Sequence, residues 1–196
     1  MDRFQNTKQP DWEWWGRLWP APGETLRELG LTAGDSVVEI GCGNGYFVIP
    51  AARVVSPATV YALDLDAALL AELETLADQQ ATQNLRIIEG DARNLGSHLP
   101  ERVDVALLAN TCHGIENPGP LIADIEDVLA DGGRFIVINW NDTPSQETTI
   151  AGEPRGPPAE LRLSPAATRT MVEDATDLSL VEQIDLPPYH YALVFE

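Results

Sequence analysis

Strands alternating with helices along 196 residues predict an α/β fold: a parallel sheet covered by helices on both faces. Three observations carry that prediction. Short aliphatic and β-branched runs, such as residues 36–40, 59–63 and 103–109, read as strands buried on both sides. Segments of helical periodicity fall between them. The first strand also breaks into Gly41, Gly43 and Gly45, and Tyr46, Phe47, Val48 and Ile49 then open a helix.

The elements follow in order. A helix is expected from about Gly23 to Leu29, stopped by Gly30, before the first strand at 36–40. The next helix spans 46–54, with Pro50 forcing a bend or a later start, and Ser56-Pro57 breaks the chain. After the second strand, Asp66 is placed to cap a helix with Leu69, Leu70, Leu73 and Leu76 on one face. Strands three and four are 85–89 and 103–109. A helix carrying Leu121, Ile122, Ile125, Val128 and Leu129 leads through Asp131-Gly132-Gly133 into a fifth strand at 134–139. Residues 141–163 are rich in proline and glycine and too long for a simple connector, which marks them as functional. Ser164-Pro165 starts a last helix. Residues 178–186 and 189–195, around Pro187-Pro188, form a closing hairpin.

Length predicts a single domain, 1–196. No apolar run approaches the roughly 20 residues that span a bilayer, and no leader pattern is visible, so a cytoplasmic location without membrane contact is expected. Two cysteines, Cys42 and Cys112, make no disulfide framework, and three histidines with them show no metal-ligand spacing. With 31 acidic and 12 basic residues the chain carries a formal charge of −19, which repels phosphate backbones and argues against nucleic acid as a partner. Such an acidic surface resembles that of proteins from salt-loving organisms. Self-repulsion is screened at molar salt, where the Debye length is about 3 Å. The melting temperature is therefore expected to rise steeply from dilute buffer to molar salt; a flat profile would show that the acids are too far apart to matter.

The glycine turn separates two cofactor classes. A dinucleotide fingerprint places glycine or alanine five residues after the first glycine. Here that position is Tyr46. Glu39, just before the turn, would repel a pyrophosphate and suits a ligand carrying an ammonium and a sulfonium. The pattern Glu39-x-Gly41-x-Gly43-x-Gly45 resembles motif I of class I S-adenosylmethionine-dependent methyltransferases. The element order over residues 24–196 also resembles their three-layer Rossmann-like fold, a parallel sheet with a C-terminal antiparallel hairpin.

The resemblance implies S-adenosylmethionine as cofactor, held by Glu39, Gly41, Cys42 and Gly43. It implies Asp64 on the ribose hydroxyls, Leu65 on the adenine face, Asp91 on the adenine amino group and the Ala92 N–H on the ring. Residues 103–115 resemble the fourth-strand motif of quinone-biosynthesis methyltransferases, and Asn110 there meets the methionine end of the cofactor. Those relatives often carry two histidines where this chain has Cys112-His113. His113 is the candidate general base, with an unperturbed pKa near 6.5; a loop histidine satisfied by its neighbours is the alternative.

Trp12, Trp14, Trp15 and Trp19 make residues 1–20 an arm or short broken helix, serving as an apolar plug or as a lid over the site. Trp14, Trp15 and Trp140 are the candidate acceptor contacts, since a π face attracts a cation and a closed site excludes water. Direct in-line methyl transfer to a small-molecule acceptor is the expected reaction. The rivals are a non-catalytic cofactor-binding module and an NAD-dependent reductase. The second lacks a Tyr-x-x-x-Lys pair, Lys8 being the only lysine.

Overall fold

The computed structural model describes residues 12–196, with side chains for 15–144 and 146–196. A seven-stranded sheet runs through the molecule. Its first four strands are β1 (Val37–Ile40), β2 (Val60–Asp64), β3 (Leu85–Glu89) and β4 (Val103–Ala109), followed by β5 (Leu129–Trp140). A two-stranded ribbon, β6 (Thr149–Ile150) and β7 (Glu153–Pro154), precedes the closing strands β8 (Leu180–Leu186) and β9 (His190–Phe195). The spatial order is β3-β2-β1-β4-β5-β9-β8. The first five are parallel, and β9 lies antiparallel between β5 and β8.

Alternation along the strands sorts side chains into two cores. Val37, Val60, Val105, Leu107, Ile136 and Ile138 face α1 (Trp12–Leu18), α2 (Pro22–Glu28), α3 (Val48–Val55) and α4 (Ala67–Gln79). Val38, Leu63, Ala106, Leu108, Phe135 and Val137 face α5 (Leu95–His98), α6 (Gly119–Val128) and α7 (Pro165–Glu173). The expected three-layer α/β architecture with a C-terminal antiparallel hairpin is what the chain forms.

Local chemistry explains the boundaries. Asp66 caps α4 by accepting from the Ala68 and Leu69 N–H groups at 2.9 and 3.4 Å. Ser164 caps α7 through the Ala167 N–H at 3.1 Å. Pro50 does not bend its helix: α3 starts late, at Val48, so the proline falls in the first turn, where an N–H has no helical partner to lose. The fifth strand departs further from expectation. It begins at Leu129, pairing with Val103, and the Asp131-Gly132-Gly133 segment forms a bulge before pairing resumes at Arg134.

Of the tryptophan arm, Trp12–Leu18 form α1, and Trp15, Leu18 and Trp19 belong to the core on the α1 face. Trp15, Leu18 and Trp19 are buried against Tyr46 and Phe47, and α1 packs on β6. The side chain of Trp14 lies outside the described residues. No described helix is long and apolar enough to cross a membrane.

Candidate active site

Parallel strands bring their carboxyl ends to one edge, and the turn after β1 sits there. Gly41, Gly43 and Gly45 all have positive φ, at 72°, 55° and 98°, a region that only glycine enters without strain. At Gly41 a side chain is also excluded by its neighbour, since a Cβ would lie 2.7 Å from the Thr111 hydroxyl after β4. The turn is sewn to β2: the N–H groups of Gly41 and Cys42 donate to the Leu63 carbonyl at 2.8 and 3.1 Å.

Asp64 ends β2 and holds the same turn. Its Oδ2 accepts from the Gly43 N–H at 2.7 Å, and its Oδ1 from the Asp66 N–H at 2.9 Å. The carboxylate thus stands beside the glycines, half-buried, with further lone-pair capacity toward the edge. Half-buried Leu65 follows it.

Glu39 lies beneath the turn, 2% exposed, and its Oε2 has no hydrogen-bond partner among the described residues. Burial, then the Asp64 charge, hold its carboxyl well above the usual range. The neighbouring Cys42 thiol is pushed up by burial and by both acids. Asn110, directly after β4, has a φ of 54°, and both of its amide atoms are buried without a partner among the described residues. An orphaned carboxyl oxygen and an orphaned amide beside a turn with glycine at alternate positions form a cradle for a polar ligand.

Asp91 follows β3 as expected, but its carboxylate is occupied. It accepts from the Arg93 backbone N–H at 3.0 Å and forms a two-pronged ion pair with the Arg93 guanidinium, at 3.0 and 2.6 Å. Arg93 thereby lowers its pKa. Ala92 beside it is buried.

On the other side of β1 an aromatic cover closes the edge. Trp15 stacks on Tyr46 with centroids 5.7 Å apart, and Trp19 meets Phe47 edge-on at 5.3 Å. The Tyr46 hydroxyl donates to the Trp19 carbonyl at 2.8 Å. The bulk at Tyr46 that argues against a dinucleotide is here the platform for α1. Trp140, the last residue of β5, is 2% exposed and stacks on Tyr189 at 6.3 Å.

His113 follows Asn110 on a short turn and is half-buried, with Nδ1 lacking a partner among the described residues. Its pKa is not the unperturbed value expected from sequence. Burial and the Arg162 charge lower it against the opposing Asn139 amide, so the imidazole is neutral at pH 7 and able to accept a proton.

Two residues of this edge carry no local sequence signal of their role. Arg162, 6% exposed, anchors the 141–163 segment: it donates to the carbonyls of Pro157, Thr143 and Arg155 and to the Thr148 hydroxyl, at 2.8–3.1 Å. Its guanidinium lies 5.1 Å over the Trp140 ring. The one available hint was a basic residue inside a proline-rich stretch of a strongly acidic chain. His190 opens β9 opposite Trp140, and a single histidine in a hairpin strand does not announce its neighbours.

A seven-stranded sheet of this order, with a glycine turn after β1 and a carboxylate closing β2, defines the class I S-adenosylmethionine-dependent methyltransferases. The chain belongs to the methyltransferase domain family, which matches residues 31–181. A solved S-adenosylmethionine-dependent methyltransferase of Aquifex aeolicus shares the fold, with a TM-score of 0.77 over 92% of both chains at 20% identity. A protein of Methanosarcina mazei named a probable cobalt-precorrin-6B C(15)-methyltransferase (decarboxylating) is 34% identical over 59% of this chain. The chain spans 60% of that relative's length. The ubiquinone/menaquinone biosynthesis C-methyltransferase UbiE of a Marinomonas species is 25% identical over 88% of this chain and 67% of its own. S-adenosylmethionine is the cofactor of the class, and the cradle fits it: an unpaired carboxyl oxygen for a cationic end, a second carboxylate at the tip of β2, and three positive-φ glycines at alternate positions of the turn between them.

Proposed function

We propose that this domain transfers the methyl group of S-adenosylmethionine directly to a small-molecule acceptor. The observation that best supports the reading is the buried, unpaired Glu39 carboxyl beneath three positive-φ glycines, with Asp64 beside them. Gly41, Cys42 and Gly43 form the floor of the cofactor site. Asp64 accepts from the ribose hydroxyls with the capacity that Gly43 and Asp66 leave over. Glu39 and Asn110 hold the amino-acid end, and Leu65 covers the adenine. The Ala92 N–H and Asp91 meet the adenine edge, Asp91 once Arg93 shares or yields it.

The cofactor supplies an already activated methyl group, so the protein has to align, exclude water and manage one proton. His113 takes that proton. Trp15 and Trp140 are the proposed acceptor contacts, with the 141–163 segment completing the wall; Trp14, the third candidate, has its side chain outside the described residues. A net charge of −19 and a closed aromatic cover favour a small acceptor over nucleic acid. The two relatives named as C-methyltransferases act on non-polymeric molecules by their names, which supports the same class. A cytoplasmic setting fits the buried free thiols Cys42 and Cys112.

Calorimetry should show binding of S-adenosylmethionine and its demethylated product and none of NAD; the reverse preference overturns the reading. Asp64→Ala is expected to act twice. Two backbone N–H groups lose their acceptor, costing about 1–3 kcal/mol of stability, and the cofactor loses charge-assisted bonds of similar size. Urea melts and calorimetry read the two losses separately. Cofactor affinity within about threefold of wild type, under roughly 0.7 kcal/mol, would remove Asp64 from the ribose.

A further inference from the structure

The C-terminal hairpin brings a polar residue to the carboxyl edge that neither the cofactor cradle nor the proton-transfer role absorbs. His190 is the first residue of β9 and pairs with Trp140, the last of β5, so both stand at the rim on the face covered by α1. Its ring is held between two indoles, 4.2 Å from the centroid of Trp140 and 4.7 Å from that of Trp19. His190 is 2% exposed and Trp19 4%. Yet His190 Nε2 and Trp19 Nε1 are both buried with no hydrogen-bond partner among the described residues. Two adjacent orphaned nitrogens in one aromatic cluster are costly to leave without a partner. Trp19 also packs on Phe47 at the end of the glycine turn, so the pair lies one ring away from the cofactor cradle.

The chemistry of the two nitrogens selects what can satisfy them. An indole N–H only donates, whereas the Nε2 of a neutral imidazole donates or accepts according to tautomer. An ammonium has no lone pair for the indole. A carbonyl serves both only when His190 donates, and a carboxylate would bring a buried charge as well. A hydroxyl accepts from the indole and either donates to His190 or accepts from it, so it fits both tautomers. Burial first, and then the Arg162 charge nearby, keep His190 neutral.

We infer that His190 and Trp19 form the polar end of the acceptor subsite, binding an uncharged molecule through a hydroxyl group while Trp140 and Trp19 pack on its apolar body. This rests on the methyltransferase reading for the word acceptor, but binding at the subsite is tested without turnover. His190 is then a positioning residue that selects neutral hydroxyl compounds over charged or purely apolar ones.

Phenol, its isostere toluene, and benzoate are suitable probes, titrated by NMR into the full chain carrying 15N-labelled histidine and tryptophan, with S-adenosylhomocysteine present. Phenol is expected to shift the His190 imidazole and Trp19 indole resonances and to bind about tenfold more tightly than toluene, the difference made by one hydrogen bond. Benzoate should bind no better than toluene. His190→Phe, which keeps a ring between the indoles, should abolish the preference for phenol, and His190→Gln should retain part of it. Equal binding of phenol and toluene, an unchanged preference in His190→Phe, unmoved His190 and Trp19 signals, or no binding by any probe would each overturn the subsite. Cofactor binding by calorimetry on the same sample separates the two readings. Its failure with a positive phenol result overturns only the methyltransferase reading, and its success with a negative phenol result overturns only the subsite.

Discussion

Glu39→Gln is expected to stabilise the cofactor-free protein and to weaken S-adenosylmethionine binding by about 10–100-fold. The second figure is the roughly 1.4–2.8 kcal/mol of a charge-assisted contact made to a neutral amide instead. Both effects come from one carboxyl, buried beneath the glycine turn with Oε2 unpaired and Asp64 nearby. Because its pKa is raised on folding, the folded state holds the proton more tightly than the unfolded chain. Glu39 therefore contributes stability that is fully present below its unfolded pKa and is lost as pH rises through the raised folded value. Glutamine removes that loss, so the two proteins should melt alike near pH 4 and the variant should melt higher on the alkaline side.

A cationic ligand favours the ionised form. Binding should release a proton wherever the free protein still holds it, and wild-type affinity should rise with pH up to the raised pKa. Calorimetry in two buffers of different ionisation enthalpy detects that proton. Equal apparent enthalpies for wild type across the acidic range, or a variant that binds as tightly as wild type, would remove Glu39 from the cofactor site.

Arg162→Met is expected to cost about 2–4 kcal/mol of stability, since three carbonyls and a hydroxyl would lose a charged donor in a site that excludes water. For a chain of this length that is a fall in melting temperature of about 5–15 °C. Arg162→Lys should recover little of it, because one ammonium cannot span oxygens arranged around a planar fork. Hydrogen exchange should show residues 141–163 losing protection first, with the Tyr189 clamp on Thr149 following, its hydroxyl now bonded to both the N–H and carbonyl of that residue. A melting temperature within about 2 °C of wild type would mean the segment is held by other contacts.

Much of this architecture is legible one element at a time. Buried parallel strands have to be aliphatic on both faces, which is why β1, β2 and β4 stand out in the sequence, and a carboxylate cap such as Asp66 acts over three residues. The bulge that lets β5 begin at Leu129 was not legible, because Asp131-Gly132-Gly133 reads as a turn until β4 is there to pair with Leu129. The tryptophan arm was ambiguous for a similar reason: its spacing favours no one face, and only Tyr46 and Phe47 give Trp15 and Trp19 something to pack against.

The sequence by itself determined the alternation of strands and helices, the glycine turn with its preference for a cationic cofactor over a pyrophosphate, and the carboxylate at the end of β2. Each depends on backbone preferences and charges within a few residues. Only the tertiary structure decided which polar groups would be left unpaired at the carboxyl edge. Whether Glu39, Asn110, His113 and His190 find partners depends on side chains from segments far apart in the chain, and on burial that withdraws water from them. The same convergence turned Asp64 into a brace for Gly43 and lowered the pKa of His113. Those outcomes follow from packing and desolvation, which act only once the chain has closed on itself.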